Sequence, residues 1–455
     1  MNEIATQDSV VESPVEETVE KTNVAAVARG AKAASRLLAG VSAARREAAL
    51  LAAADAIEER SFEILAANRH DCDHALRAVE VAAMPRALFD RLQIGERSIA
   101  QMAAGVREVA ALADPLGRTL AVTELDEGLT LYKESCPIGV IGIVFEARPE
   151  IVPQIAALAL KSGNAVILKG GSEAQHSNQV LVQIWTEVLA RFADIPPDAI
   201  NLLYTRADVD EMLALEDEID LIIPRGSREF VRHVAERSRI PVLGHGEGIC
   251  HVYIDSMADM QKAFNIAFDS KVQYPAACNA METLLVHEEV AGVFLPEMIS
   301  RFQAAGVEVH GCERTIKFGQ ARGVVPASED DWRAEYSDLI VAIKVVRATD
   351  EAIEHINRYG SGHTEAIVTE DGHAASHFMD RVDAAGVYHN VSTRFADGFR
   401  YGFGAELGIS TSKLHARGPV GLDGLTTYKY KLIGDGQTVA SYAAGERTFK
   451  HRRIK

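Results

Sequence analysis

The stretch Ala165-Val166-Ile167-Leu168-Lys169-Gly170-Gly171-Ser172-Glu173 decides how this chain is read. Its four apolar residues make a buried-strand run. A lysine, two glycines and a serine end the run, and helical spacing takes over from Gln175 to Phe192. In α/β proteins, nucleotides bind at the carboxyl ends of such strands. Lys169 is a donor for a phosphate or ribose, and Gly170 lets a ligand approach the backbone. The G-x-G-x-x-G fingerprint is absent. Taken alone, the stretch reads equally as an ordinary strand-to-helix loop.

Working outward, the same rhythm repeats. Strands are expected at Gly139–Phe145, Ala199–Leu203, Leu221–Ile223 and Ile240–Leu243, with helices at Val152–Lys161 and Ser227–Arg237. Apolar strands alternating with helices imply a parallel, doubly wound sheet, so the fold class is α/β. A second α/β unit starts at His251–Ile254 and continues through Leu284–Val286, Val307–His310, Leu339–Val346, Ala366–Thr369 and Gly386–His389. Helical spacing fills Val24 to about Leu112. Thr119–Thr123 and Leu129–Tyr132, around a polar turn, read as a protruding hairpin. Phe403–Leu407 and Leu425–Leu432 read as returns to the first unit and to the hairpin.

The 455 residues carry a net charge of −18, which argues against nucleic acid or an anionic membrane as partner. Hydrophobic residues make up 47% and charged residues 25%, as in ordinary globular proteins. The 5 cysteines are scattered and without a C-x-x-C pair, which points to free thiols in a reducing compartment. Residues 1–22 are acidic and read as a disordered tail without a secretory signal. With no apolar run long enough for a bilayer, a cytoplasmic protein is expected.

Cys278 lies in Tyr274-Pro275-Ala276-Ala277-Cys278-Asn279-Ala280, small residues just ahead of a strand. A substrate can reach such a thiol, and a thiolate is intrinsically nucleophilic. The competing reading is a small buried hydrophobe. Pro224-Arg225-Gly226-Ser227 places a helix start after a strand, which suits a phosphate or simple N-capping by Ser227. Arg148, in Glu146-Ala147-Arg148-Pro149, is a fork for a carboxylate or phosphate, or else a surface arginine. In Gly244-His245-Gly246-Glu247-Gly248, His245 or Glu247 is a catalytic candidate, although glycine-flanked hinges look the same. No metal site is expected. Cys250-His251 lacks a matching ligand pair, and His373 with His377 lacks a clear third ligand.

Together these phrases resemble the aldehyde dehydrogenase superfamily. The resemblance is carried by Pro137–Pro149 (PIGVIGIVFEARP), Ala157–Gly171 (ALALKSGNAVILKGG), Ile219–Ser227 (IDLIIPRGS), Gly248–Asp255 (GICHVYID), Cys278–Val286 (CNAMETLLV) and Tyr359–Thr369 (YGSGHTEAIVT). It implies a Rossmann-type NADP-binding domain (23–117 and 137–248), an α/β catalytic domain (249–420), and an oligomerisation hairpin with the C-terminal segment (118–136 and 421–455). Cys278 matches the family nucleophile, with Asn279 as a companion in catalysis. Lys169 matches the lysine that contacts the adenosine ribose, and Glu335 matches the Glu at the nicotinamide ribose; with Gly170, Ser172, Gly226 and Ser227 these are the expected cofactor contacts. Arg148, Glu146 and His245 are the expected substrate contacts.

The departures are informative too. Many NAD-using relatives carry a Glu three residues after the lysine. Ser172 stands there, which leaves space and no charge for a 2′-phosphate and favours NADPH. Adjacent Glu173 weakens that preference slightly. The water-activating Glu of hydrolytic members falls near Gly244, and the oxyanion-hole Asn falls at Glu146. The backbone N–H of Cys278, with Asn279, is then expected to serve the oxyanion.

The implied reaction is the NADPH-dependent reduction of L-glutamyl 5-phosphate to L-glutamate 5-semialdehyde and phosphate in L-proline biosynthesis, by a homo-oligomer. Glutamate 5-kinase is a candidate partner. The alternatives are NAD(P)-dependent oxidation of a free aldehyde to an acid, and a non-catalytic dinucleotide-binding protein.

Overall fold

A computed structural model describes residues 22–81, 84, 86–146, 148–226, 228–244, 247–319 and 323–455. The expected tail at 1–22 falls, except for Thr22, outside them. Five helices come first: α1 (Val24–Leu38), α2 (Ala43–Glu59), α3 (Ser61–Glu80), α4 (Arg86–Leu92) and α5 (Glu96–Ala111). Asn23 and Ser42 cap α1 and α2 by accepting backbone N–H groups. A hairpin follows, β1 (Thr119–Asp126) and β2 (Leu129–Pro137), paired antiparallel.

The first parallel sheet is built from β3 (Val140–Phe145), α6 (Ile151–Lys161), β4 (Ala165–Lys169), α7 (Gln175–Leu189), β5 (Ile200–Leu203), α8 (Arg206–Met212), β6 (Leu221–Arg225) and α9 (Arg228–Arg237). Its spatial order is β5-β4-β3-β6. Every residue of β3 and β4 is buried, as expected for strands covered by helices on both faces. The chain moves outward from β3 through β4 to β5, then returns to β3's other side as β6. That reversal opens a crevice at the carboxyl ends of β3 and β6.

The second sheet contains β7 (Cys250–Ile254), α10 (Met260–Val272), β8 (Met281–His287), α11 (Glu288–Ala304), β9 (Glu308–Gly311), α12 (Glu313–Gly319), β10 (Val325–Pro326), β11 (Ile340–Val346), α13 (Thr349–Tyr359), β12 (Thr364–Val368), α14 (Gly372–Arg381) and β13 (Gly386–His389). All its pairings are parallel, in the order β10-β9-β11-β8-β7-β12-β13. The chain then forms the short pair β14 (Ile409–Ser410) and β15 (Gly418–Pro419), and β16 (Thr426–Ile433), which pairs with β2. After α15 (Val439–Ala443), β17 (Arg452–Arg453) pairs with β1. Ala405, Leu407, Val420, Leu422 and Leu425 return to the core of the first sheet.

One expected strand differs: Ile240–Leu243 makes only the bridge Ile222↔Val242, since Pro241 offers no N–H to a longer ladder. Phe403–Leu407 returns to the first core as expected, and Gly402 and Gly404, with φ of 78° and 79°, turn the chain there. Among the described residues, no helix is long and apolar enough to cross a membrane.

One ion pair inside the second core stands out. Lys271 Nζ lies 2.6 Å from Glu282 Oε2, and both side chains are fully buried. Removing one partner from a buried pair costs about 3–5 kcal/mol, whereas replacing both with apolar groups is often neutral. Lys271→Met should therefore lower stability by about 3–5 kcal/mol in urea unfolding. Lys271→Met combined with Glu282→Leu should recover most of that loss. Equal losses in both variants would rule out the pair as the cause.

Candidate active site

The crevice at the ends of β3 and β6 faces the loop between α10 and β8 and encloses about 610 Å³. Its lining includes Phe145, Glu146, Arg148, Arg225, Gly226, Gly244, Cys278 and Glu335. Residues separated widely in sequence thus meet where the sheet topology predicts a ligand.

Cys278 is partly buried on the loop that precedes β8. A turn closed by Ala280 N–H to the Ala277 carbonyl (2.8 Å) shapes this loop. The Cys250 thiol, fully buried on β7, contacts the Cys278 carbonyl at 3.3 Å. A Cβ on Gly248 would lie 1.9 Å from that same carbonyl oxygen, so this glycine is required for close backbone approach. Burial, then Glu335 and Glu406, pushes the Cys278 thiol up to about 12. Arg394 and the residue's own backbone N–H, aimed at the sulfur, oppose this. The free cleft therefore holds a protonated thiol at neutral pH.

Asn279 takes a different place from the one expected. Its side-chain amide donates to the Ala396 carbonyl at 2.8 Å, and its Oδ1 is buried without a partner. This donor anchors the loop to the segment after β13 and is not among the groups lining the cleft. The backbone N–H of Cys278 is aimed at its own sulfur in the free cleft.

The expected cofactor contacts sit at the strand ends. Lys169 closes β4 and is buried, which lowers its pKa, while Glu173 acts in the opposite direction. A Cβ on Gly170 would meet Asn178 at 2.1 Å, and one on Gly171 would meet the Glu173 carboxylate at 1.9 Å. Glu173 is thus folded back over the glycine loop, while Ser172 is exposed. A Cβ on Gly226 would meet the Glu146 carboxyl carbon at 2.8 Å. These bare strand ends beside Lys169 fit a dinucleotide. Ser227 and His245 lie outside the described residues.

Gly244 lines the cleft and brings no carboxylate, while Glu247 lines a separate depression beside Arg232 and Ser361. Sequence reading missed two charged groups. Arg225, the last residue of β6, faces the cleft near Arg148, Glu406 and Cys278, and burial lowers its pKa. Glu406 accepts the Gly398 N–H at 2.9 Å, and burial raises it to about 7. Arg225 had a signal, its place at a strand end, but that phrase was read only for its helix start. Glu406 lay in a stretch read only as a return to the first unit.

Elsewhere, His377 Nε2 meets Asp350 at 2.6 Å on the surface. His70, Asp71 and His176 offer ligand atoms within 4.8 Å of one another, away from the cleft. Asp71 accepts the His176 and Ser177 backbone N–H groups and so caps α7.

Comparison with known proteins follows from this geometry. Residues 5–319 match the model of the aldehyde dehydrogenase family. The chain is 54% identical over 431 residues to the gamma-glutamyl phosphate reductase of Pelotomaculum thermopropionicum, covering 94% of this chain and 97% of that protein. It is also 54% identical over 425 residues to that of Natronomonas pharaonis, covering 93% and 96%. The crystal structure of the Thermotoga maritima gamma-glutamyl phosphate reductase superposes with a TM-score of 0.88 at 41% identity, over 92% of this chain and 100% of that one. With a nucleophile-bearing cleft between two parallel sheets and relatives of this identity along most of its length, the chain belongs to the aldehyde dehydrogenase family.

Proposed function

We propose that this protein reduces L-glutamyl 5-phosphate to L-glutamate 5-semialdehyde and phosphate in L-proline biosynthesis, through a thioester on Cys278. The observation that carries the reading is a cleft that joins Cys278 to three arginines, Arg91, Arg148 and Arg225, and has glycine, Gly244, in place of a water-activating carboxylate. Sγ attacks the acyl carbon, and the bond from that carbon to the phosphate oxygen breaks. The thiol proton leaves with the phosphate, so thioester and hydrogen phosphate balance the step. Once Sγ is acylated, the Cys278 N–H would be free to donate to the charge that develops on the carbonyl oxygen. Arg148 neutralises substrate anion within an acidic protein. With no carboxylate at Gly244 to activate water, the thioester persists for reduction.

NADPH, when bound, supplies the hydride. Lys169 with the Gly170–Gly171 loop would hold its adenosine ribose, and Gly226 and Glu335 would line the nicotinamide end. Exposed Ser172 leaves the 2′-phosphate uncontested, and this favours NADP over NAD. The protein works in the cytoplasm as a homo-oligomer, fed by glutamate 5-kinase. β16 supports the oligomer: it ends its sheet and exposes Tyr430, Leu432 and Ile433. Unpaired apolar edges are normally covered.

The reaction is tested in reverse. Glutamate semialdehyde should reduce NADP⁺ only when phosphate is present, faster than NAD⁺, and Cys278→Ala should abolish turnover. Phosphate-independent oxidation would establish the ordinary aldehyde dehydrogenase reaction instead.

The thiol has its own signature. Alkylation of the Cys278 peptide, followed by mass spectrometry, should accelerate about tenfold per pH unit from pH 7 to 10 without a plateau. A midpoint near the ordinary cysteine value would contradict the burial argument.

For assembly, Tyr430→Lys with Leu432→Lys should reduce the particle mass measured by light scattering. An unchanged mass would exclude β16 from the interface.

A further inference from the structure

Arg225 lines the cleft from the end of a strand of the first sheet and has no assigned task. It ends β6 in register with Phe145 of β3, so the edge of the crevice carries its guanidinium. Arg148 sits close enough to disfavour its charge, and Cys278 and Glu406 act the other way. Among the described residues, neither Arg225 nor Arg148 makes a salt bridge or side-chain hydrogen bond. Gly408, with φ of 148°, packs its backbone beside the Arg225 guanidinium. Two unneutralised guanidiniums converging on one cleft form a fork for a multiply charged oxyanion.

We propose that Arg225 is the specificity-determining residue for phosphate, holding the phosphoryl group of the acyl phosphate beside Cys278. The proposal rests on the acyl-phosphate reading above. The location selects the phosphate over the substrate's α-carboxylate. The phosphate oxygen is bonded to the very carbon that Sγ attacks, whereas the α-carboxylate carbon is four bonds further along the chain. Arg225 lines the same cleft as Cys278, so its guanidinium is placed to meet the leaving group. As the Sγ–C bond forms and the C–O bond breaks, the electron pair goes to phosphate. Arg225 N–H groups receive that charge, and the phosphate departs with the thiol proton. In the reverse direction the same fork orients inorganic phosphate for attack on the thioester, in place of water.

The test uses the full chain in the reverse assay, with Arg225→Gln and Arg225→Lys. The KM for inorganic phosphate should rise about tenfold or more in Arg225→Gln, and less in Arg225→Lys, which keeps the charge but loses the fork. The KM for semialdehyde should stay within about threefold of wild type. A raised KM for semialdehyde with an unchanged KM for phosphate, or no change in either, overturns the proposal. Titration of inorganic phosphate into the free protein by calorimetry gives a second readout. Wild type should bind and Arg225→Gln should not; equal binding, or none to wild type, overturns it as well. Wild-type turnover that ignores phosphate, with phosphate binding still lost in Arg225→Gln, would instead refute the acyl-phosphate reading and leave the anion site standing.

Discussion

The site depends on holding the Cys278 loop in one conformation, and the buried Lys271–Glu282 pair is central to that. Lys271 lies in the last turn of α10 and Glu282 is the second residue of β8, so the pair ties together both ends of the loop. Neither charge reaches water, and each is tolerable only because the other is there. Glu282 also accepts the Ser337 N–H at 3.2 Å, which links the clamp to the segment carrying Glu335. Weaker anchors complete it: Asn279 on Ala396, Arg394 on Gln273 at 2.9 Å, and Cys250 against the Cys278 carbonyl. A nucleophile held this tightly has little freedom to swing between buried and reactive positions.

The electrostatics of the cleft set a compromise. The chain carries a net charge of −18, yet its substrate is anionic. Arg148 and Arg225 supply local positive charge, while Glu335 and Glu406 face the same thiol and hold its proton on. A resting thiol is a poor nucleophile, but it is also protected from adventitious alkylation and oxidation. An acyl phosphate is reactive enough to be attacked without a strongly basic sulfur waiting in the empty site. Gly244 fits the same logic: space in place of a carboxylate leaves the thioester without an activated water.

Much of this was legible in the chain because parallel strands buried on both faces must be apolar throughout. β3, β4, β7, β8 and β12 could be located within a residue or three for that reason. Legibility failed where local pattern and pairing part company. Ile240–Leu243 looks like a strand but finds a single bridge. Phe403–Leu407 returns to the first core as expected, but its local pattern carries no sign that Glu406 comes within reach of Cys278. The side-chain amide of Asn279, adjacent to the nucleophile, was expected at the oxyanion and is spent on a carbonyl far along the sequence.

By itself, the sequence determined the α/β class and placed the strand ends, the thiol of Cys278 and the bare Gly244 on which the proposed function rests. Each of these is written in local residue type and spacing, which short-range sterics and burial turn directly into structure. The tertiary structure alone decided that Arg225 shares a cleft with Cys278, that Glu406 comes within electrostatic reach of the thiol, that Asn279 anchors the loop, and that burial pushes the thiol pKa up. Those are properties of distance and desolvation between groups far apart in the chain. Composition and spacing carry no record of which charges the fold will bring within reach of one another.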